Sequence, residues 1–411
     1  MRFIKYKLQT SDTVESTNPD LELLPSADRD ADKASFLAAT VNVEANAHNL
    51  DLYLQHLISP VVDDSGLQTG TIHVRCAQAL GSEIYVGCSN GELIRFALQA
   101  DDPNKLESYS ILSRQTVPNG KPVDEIVLIP CLSRAFILSG NLLLDRIVHF
   151  YTLPSLDPVA PSLVKPIRHV VTLAVDHRDL QRPPLSSSGP PAPMDPVNFC
   201  IIKRSSIAMY TMRERLSYHK EIPLPEGATL ARRIGRSLCI ADKENYNMVD
   251  LEGASLFPVI PISQAPESST AFVKPSITIV GENEFLILSW TGASTIGLFV
   301  TGDGDPVRGT LEWPMHPEAV CLDYPYVTTL LPNDTIEVHS IETQSIVQVI
   351  SAPASSSPST PTTEENSNPR SRLKLVSSLG GYLVPSTQRS DKMRTVPVRL
   401  LRGSEAIPST T

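Results

Sequence analysis

Nine histidines and six cysteines are the groups in this chain best able to ligate a metal or act as nucleophiles, and their spacing keeps them apart. His48, His56, His73, His149, His169, His177, His219, His316 and His339 form neither an H-E-x-x-H pair nor two imidazoles one residue apart, so a hydrolytic metal site has no support. A histidine in a strand pattern, such as His339 in Ile336-Glu337-Val338-His339, reads as solvent-facing or as a satisfied structural group. Cys76, Cys88, Cys131, Cys200, Cys239 and Cys321 include no C-x-x-C and mostly sit in apolar runs. They read as buried reduced thiols acting as small hydrophobes, not as disulfide partners or zinc ligands. Gly302-Asp303-Gly304-Asp305 sets two carboxylates in a glycine-rich turn. A calcium loop needs further oxygen ligands and a distal Glu, so a hairpin turn is the better reading. No nucleophile elbow, P-loop or dinucleotide fingerprint is read from the chain, which is expected to be no enzyme and to carry no cofactor or metal.

The elements that must position these groups are short strands, recurring without amphipathic helices between them. Glu83–Leu98, Arg134–Gly140 and Glu284–Trp290 are rich in β-branched and aromatic residues and bounded by turn residues. Within the first, Ser89-Asn90-Gly91-Glu92 offers Asn and Gly for the positive φ angles of a tight I′ hairpin. Such segments continue from Thr71 to Ile350 at intervals of about ten residues, which is the mark of an all-β repeat architecture. Once the polar tracts are set aside, on the order of 340 residues remain, and at about 45 per four-stranded blade they make a roughly seven-bladed β-propeller. That scaffold usually binds and seldom catalyses.

The tracts between the strands divide the chain. Residues 1–10 hold an alternating apolar and basic segment, a candidate closing strand, and 11–33 form an acidic, polar insert expected to be disordered. Residues 34–351 carry the propeller, with room for a short helix or a strand in Ala34–Leu57 and a Pro/Ser loop at 180–197. Residues 352–370 are a low-complexity loop, 371–402 hold the last propeller strands, and 403–411 form a tail expected to be disordered.

Composition limits the partners. At 41% hydrophobic and 19% charged, the chain can bury a large core. A formal charge of −10 argues against a nucleic-acid surface, which needs a basic face. No apolar run approaches the roughly 20 residues that cross a bilayer, and the N-terminus has no secretory h-region, so a cytoplasmic location is expected. Arg370, Arg372 and Lys374 form one short basic run, read as solvated loop charge. Arg232, Arg233 and Arg236 form another, the one candidate contact patch for anionic lipid. At about 1 kcal/mol per well-placed charge it is too small to hold an acidic protein on a membrane by itself.

Several phrases carry more than strand character: Ile84–Gly91, Leu256-Phe257-Pro258 after the Asp250–Gly253 turn, Glu284–Ile287, Gly297–Val300, Glu312-Trp313-Pro314, Tyr324–Val327 and Ile336–Ser340. In order and spacing they resemble the citron homology (CNH) domain, a WD40-like propeller, in the family of the TGF-β receptor-associated protein and vacuolar protein sorting-associated protein three. The resemblance runs from about Thr71 to Ile350, and Leu379–Pro385 matches loosely. It implies a non-catalytic module of an endosomal tethering complex of CORVET type, with relatives in HOPS. Its implied partners are an endosomal Rab GTPase and the other tethering subunits, with peripheral association on endosomal or vacuolar membranes through those proteins and a role in vesicle tethering, fusion and vacuolar protein sorting. Family members continue into a clathrin-repeat solenoid, whereas this chain stops at Thr411, as a fragment or truncated product would. Glu312-Trp313-Pro314 and Tyr324–Val327 lean toward the early-endosomal complex. A GTP-independent adaptor for a receptor or kinase is the alternative, and a hydrolase in the propeller channel is the reading from another class.

Overall fold

The computed structural model describes residues 3–8, 72, 74–80, 83–99, 108–141, 146–183, 195–265, 272–333, 335–350, 376–378, 381–385 and 396–398. The expected helix or strand in Ala34–Leu57, the insert at 11–33, the tract at 352–370, the tail at 403–411 and the basic run Arg370–Lys374 lie outside them.

The strands form six sheets, and in each a four-stranded set meanders antiparallel from an inner to an outer strand. Blade I holds Val74–Leu80, Glu83–Cys88, Glu92–Gln99 and Ser108–Thr116; blade II holds Val123–Ile129, Arg134–Ser139, Ile147–Thr152 and Ile167–Arg168. Blade III holds Thr172–Val175, Val197–Ile202, Ser206–Met212 and Leu216–Pro223; blade IV holds Leu230–Ile234, Ser237–Ala241, Asn245–Asp250 and Ser255–Pro261. Blade V holds Ile277–Gly281, Glu284–Trp290, Thr295–Thr301 and Leu311–Trp313; blade VI holds Ala319–Asp323, Tyr326–Leu330, Ile336–Ser340 and Ser345–Ile350. The fold is thus an all-β propeller, with six blades by sheet count where roughly seven were expected. The difference lies in blade I, whose sheet is eight strands wide. A parallel contact at Ala79 and Ser378 merges its four strands with a second set, Val376–Ser378, Gly381–Pro385, Phe3–Leu8 and Val396–Val398. Phe3–Leu8 pairs antiparallel with Gly381–Pro385, so the two ends of the chain share a sheet.

Each blade packs its two faces against its neighbours, so the middle strands lose the alternation of a half-exposed sheet. Ser237–Ala241 is buried at every position, and Glu284–Trp290 at all but its ends. The core is accordingly a set of clusters at the seams. Phe136 and Phe150 of blade II meet Phe199 of blade III, with ring centroids 5.0 and 4.9 Å from Phe136. Ile234, Cys239 and Tyr246 of blade IV pack on Phe285, Ile287 and Val300 of blade V. Each large apolar side chain buried this way contributes about 1.5–3 kcal/mol. Polar groups cross the seams where their partners are fixed: the Tyr246 hydroxyl donates to Leu288 O (2.7 Å) and accepts from Ser276 N (2.9 Å).

The seam between blades V and VI holds a buried imidazole. His339, 2% exposed, lies 4.9 Å from the Trp313 ring, with Nε2 4.0 Å from Glu337 Oε2. This corrects the expectation that it faces solvent. Its register places it on the same strand face as Glu337, and that face is covered by blade V. Burial lowers its pKa to about 4, the backbone of Glu312 opposing, while burial raises the Glu337 carboxyl. In the unfolded chain an imidazole titrates near 6.5, so between about 6.5 and 4 the unfolded state binds more protons. The His339 contribution is therefore present above pH ~6.5 and lost as pH falls toward 4, whereas the raised Glu337 acts in the opposite sense above the unfolded carboxylate range. His339→Leu is expected to flatten the loss of urea-unfolding stability between about pH 6.5 and 4; an unchanged slope would remove His339 as its cause.

The Ser89–Glu92 hairpin differs in detail from the expected turn. Gly91 takes φ 83°, but Asn90 does not cross to positive φ, so this is not a I′ turn. Asn90 instead accepts the Glu92 amide through Oδ1 (3.1 Å), and Gly91 N donates to Cys88 O (3.2 Å).

Candidate functional site

Because every blade meanders outward, its first-to-second and third-to-fourth turns share one end, here called the lower face. The second-to-third turns and the blade-to-blade connections share the upper face. The chemistry-bearing residues sort between these faces.

On the lower face, the third blade's inner strand runs into Asp176, which caps a short helix, His177–Leu180. Asp176 accepts from Arg178 N at 3.1 Å and, with both carboxylate oxygens, from Gly235 N at 3.1 Å. Arg233 of blade IV lies 3.8 Å from Asp176 Oδ2, donates to Gly235 O (3.0 Å) and points Nη1 at Cys200 Sγ (3.5 Å). Both side chains are 8% exposed. The centre of the expected Pro/Ser loop lies outside the described residues, but its base is clasped: Arg182 pairs with Asp179 (2.9 Å) and donates to Pro196 O (2.7 Å). The third arginine of the expected patch, Arg236, is exposed and 3.7 Å from Asp303, in the Gly302–Asp305 turn of blade V. That turn is closed on Thr301, whose Oγ1 accepts from Asp303 N and Asp305 N at 3.2 Å each, and no metal cluster occurs among the described residues.

Arg232 follows the strand alternation away from Arg233 and lies 3.7 Å from Glu125 of blade II. The three arginines close in sequence are therefore not brought together: Arg233 is buried, Arg232 meets Glu125 of blade II, and Arg236 meets Asp303 of blade V. Near Arg232, Asp124 holds two arginines at once, Arg75 at 2.7 Å and Arg146 at 2.9 Å, and Arg146 also donates to Val171 O (3.0 Å). Burial raises the Glu125 carboxyl, against the pull of Arg232 and Arg146 and a hydrogen bond from Thr172. Arg75 and Arg146 were not singled out in the sequence; isolated arginines in strand-like runs carry no motif, and only the packing of blades I and II around Asp124 gathers them.

The upper face also holds a groove of 560 Å³ between blades V and VI. Phe272, Trp290, Pro317 and Pro332 form its apolar walls, with Lys274 and Glu318 beside them. Phe272 is 87% exposed. His316 ties the two blade connections together, donating from Nε2 to Lys274 O (2.7 Å) and facing Thr295 Oγ1 through Nδ1 (3.2 Å); burial keeps its pKa below the usual imidazole value.

One pentapeptide corrects the sequence reading. Gly87-Cys88-Ser89-Asn90-Gly91 has the G-x-S-x-G spacing of a nucleophile elbow. That elbow is a strand-to-helix turn, and here the pentapeptide joins the antiparallel strands Glu83–Cys88 and Glu92–Gln99, so the catalytic geometry is not formed. All six cysteines are free thiols, and burial pushes Cys88 and Cys321 up to about 12, far from a reactive thiolate. No helix among the described residues is long and apolar enough to cross a membrane.

Comparison with known proteins places this geometry. The chain is 22% identical over 279 residues to Vacuolar protein sorting-associated protein 3 of Saccharomyces cerevisiae, covering 64% of this chain and 24% of that protein. It is 25% identical over 120 residues to the Schizosaccharomyces pombe protein of the same name, covering 29% of this chain and 13% of the relative. The matches thus span less than a quarter of each relative's length. Similar solved structures include the AfRom2 CNH domain (TM-score 0.44, 17% identity, 76% of this chain and 93% of that one) and the WD40 β-propeller domain of Doa1 (TM-score 0.45, 12% identity, 79% and 97%). The CNH domain family model matches residues 80–357, more than half of the chain and most of the six blades, and the chain belongs to the CNH domain family.

Proposed function

We propose that this propeller is the non-catalytic interaction module of a vacuolar protein sorting subunit of a tethering complex, engaging an endosomal Rab GTPase beside its fellow subunits. The observation that carries the reading is the alignment over 279 residues with Vacuolar protein sorting-associated protein 3. The fold supports it: turns and connections sit on a rigid ring, the arrangement in which loops serve partner binding. Its buried, unreactive thiols and the strand-to-strand setting of Ser89 supply no nucleophile. In this role the domain acts peripherally on endosomal or vacuolar membranes, held there through protein partners, and the CORVET-type complex is the favoured assembly. The test is retention of endosomal Rabs, each loaded with GTP analogue or GDP, on the purified chain. GTP-selective retention of an early-endosomal Rab is the expected result. Retention insensitive to nucleotide would favour the adaptor reading, and retention of none would remove Rab recognition from this propeller.

A further inference from the structure

We propose that the aromatic groove on the upper face between blades V and VI docks a proline-rich segment of a partner protein in the extended polyproline II form. The proposal rests on the interaction-module reading and names the site and the chemistry of the contact.

Phe272 is the most exposed large apolar side chain among the described residues, at 87%, and stands on the connection that leads into blade V. It belongs to none of the core clusters, so folding gains nothing from it. Trp290, half-buried, lines the same groove. An aromatic ring held in water beside a second aromatic is the composition of a contact surface.

The groove is set before any partner arrives. Pro317 and Pro332 in its lining have a fixed φ, and His316 ties the connection that carries Phe272 to the one that carries Pro317 through its bond to Lys274 O. Binding to such walls leaves little ordering of the protein to be done. The two charged side chains beside the groove, Lys274 and Glu318, are opposite in sign and cancel. An uncharged segment matches that balance, and a strongly acidic or basic one does not.

What the groove offers to a backbone separates the common modes of peptide capture. An added β-strand needs free backbone groups, but those of Trp290 are already used: its N–H donates to Ile262 O (3.0 Å) and its C=O accepts from Gln264 N (2.7 Å). The Trp290 indole N–H, by contrast, has no partner among the described residues and is not cut off from solvent. A helix brings carbonyls already spent on its own ladder. A polyproline II chain keeps its carbonyls unpaired, so one of them can accept from the indole while proline rings pack on the aromatic faces.

The experiment uses the full chain and fluorescein-labelled decaproline in fluorescence anisotropy, with a glycine-serine peptide of the same length and an amphipathic leucine-lysine helix as controls. Saturable binding of decaproline alone, little changed by salt, is expected. The chain has two tryptophans and Trp313 is fully buried, so acrylamide quenching reads Trp290 and should fall when unlabelled decaproline is bound. Phe272→Ser, which removes a ring outside the core, and Trp290→Phe, which keeps an aromatic wall without the N–H, should each weaken binding roughly tenfold. Leu163→Ser, which removes an exposed apolar side chain of blade II, should leave it intact. No saturable binding, equal binding by Phe272→Ser and Trp290→Phe and the wild type, or preference for the helical peptide would each overturn the proposal. Rab retention is read in its own assay, so any of these results would strike the groove and leave the Rab reading standing.

Discussion

Asp176→Ala should lower unfolding stability by about 3–5 kcal/mol, the cost of leaving a buried charge without its partner. Three consequences coincide at this carboxylate. Arg233, buried at the seam of blades III and IV, loses its counter-charge. The Gly235 amide of the neighbouring blade loses both of its acceptors, and the helix His177–Leu180 loses its cap. Asp176→Asn keeps an acceptor for Gly235 and Arg178 but not the charge, and should fall between wild type and the alanine variant. Asp176→Ala combined with Arg233→Met should recover part of the loss, because an apolar side chain of similar length needs no counter-ion. Urea unfolding of these proteins and of Arg233→Met alone measures this directly. Additive losses in the double variant would show that the two groups do not act as a pair.

Trp313→Ala should cost a similar amount, about 3–5 kcal/mol, through the cavity it leaves between blades V and VI. Trp313 is fully buried, packed among Leu286, Leu288, Phe299 and Val327 and against the His339 ring. Its place depends on Gly297, where a Cβ would stand 2.7 Å from Cζ3 and 3.0 Å from Cη2 of the indole. Gly297→Ala is therefore destabilising in the wild type, since a buried ring cannot swing aside, and less so once Trp313 is alanine, where only Leu286 Cδ1, 3.0 Å from the added Cβ, still has to give. The sign of that coupling in a double-mutant cycle is the check. Equal effects of Gly297→Ala in both backgrounds would mean that the ring and the glycine do not oppose each other.

Much of the fold was legible because the middle strands of a propeller are covered on both sides. Ile84-Tyr85-Val86, Ala135–Leu138 and Phe285–Leu288 show it as unbroken buried apolar runs. Outer strands were harder. Leu216–Pro223 is exposed along most of its length and Ser255–Pro261 contains two prolines, so neither shows the burial pattern that identifies a strand. Leu230–Ile234 was read as a basic run because Arg232 and Arg233 dominate its composition, yet it is the inner strand of blade IV.

The candidate site was less legible than the scaffold for the same reason. Arg232, Arg233 and Arg236 are neighbours in sequence and look like one patch. Strand alternation sends the first two apart, and the turn at Gly235 carries the third to another seam. Arg75 and Arg146, far apart in sequence, meet on Asp124. Alternation, turn chemistry and apolar content are local properties, and they alone determined an all-β ring with few groups able to catalyse. Which arginine is buried, which faces the axis and which meets a neighbouring blade depends on packing between strands tens of residues apart, and that only the closed ring of blades decides.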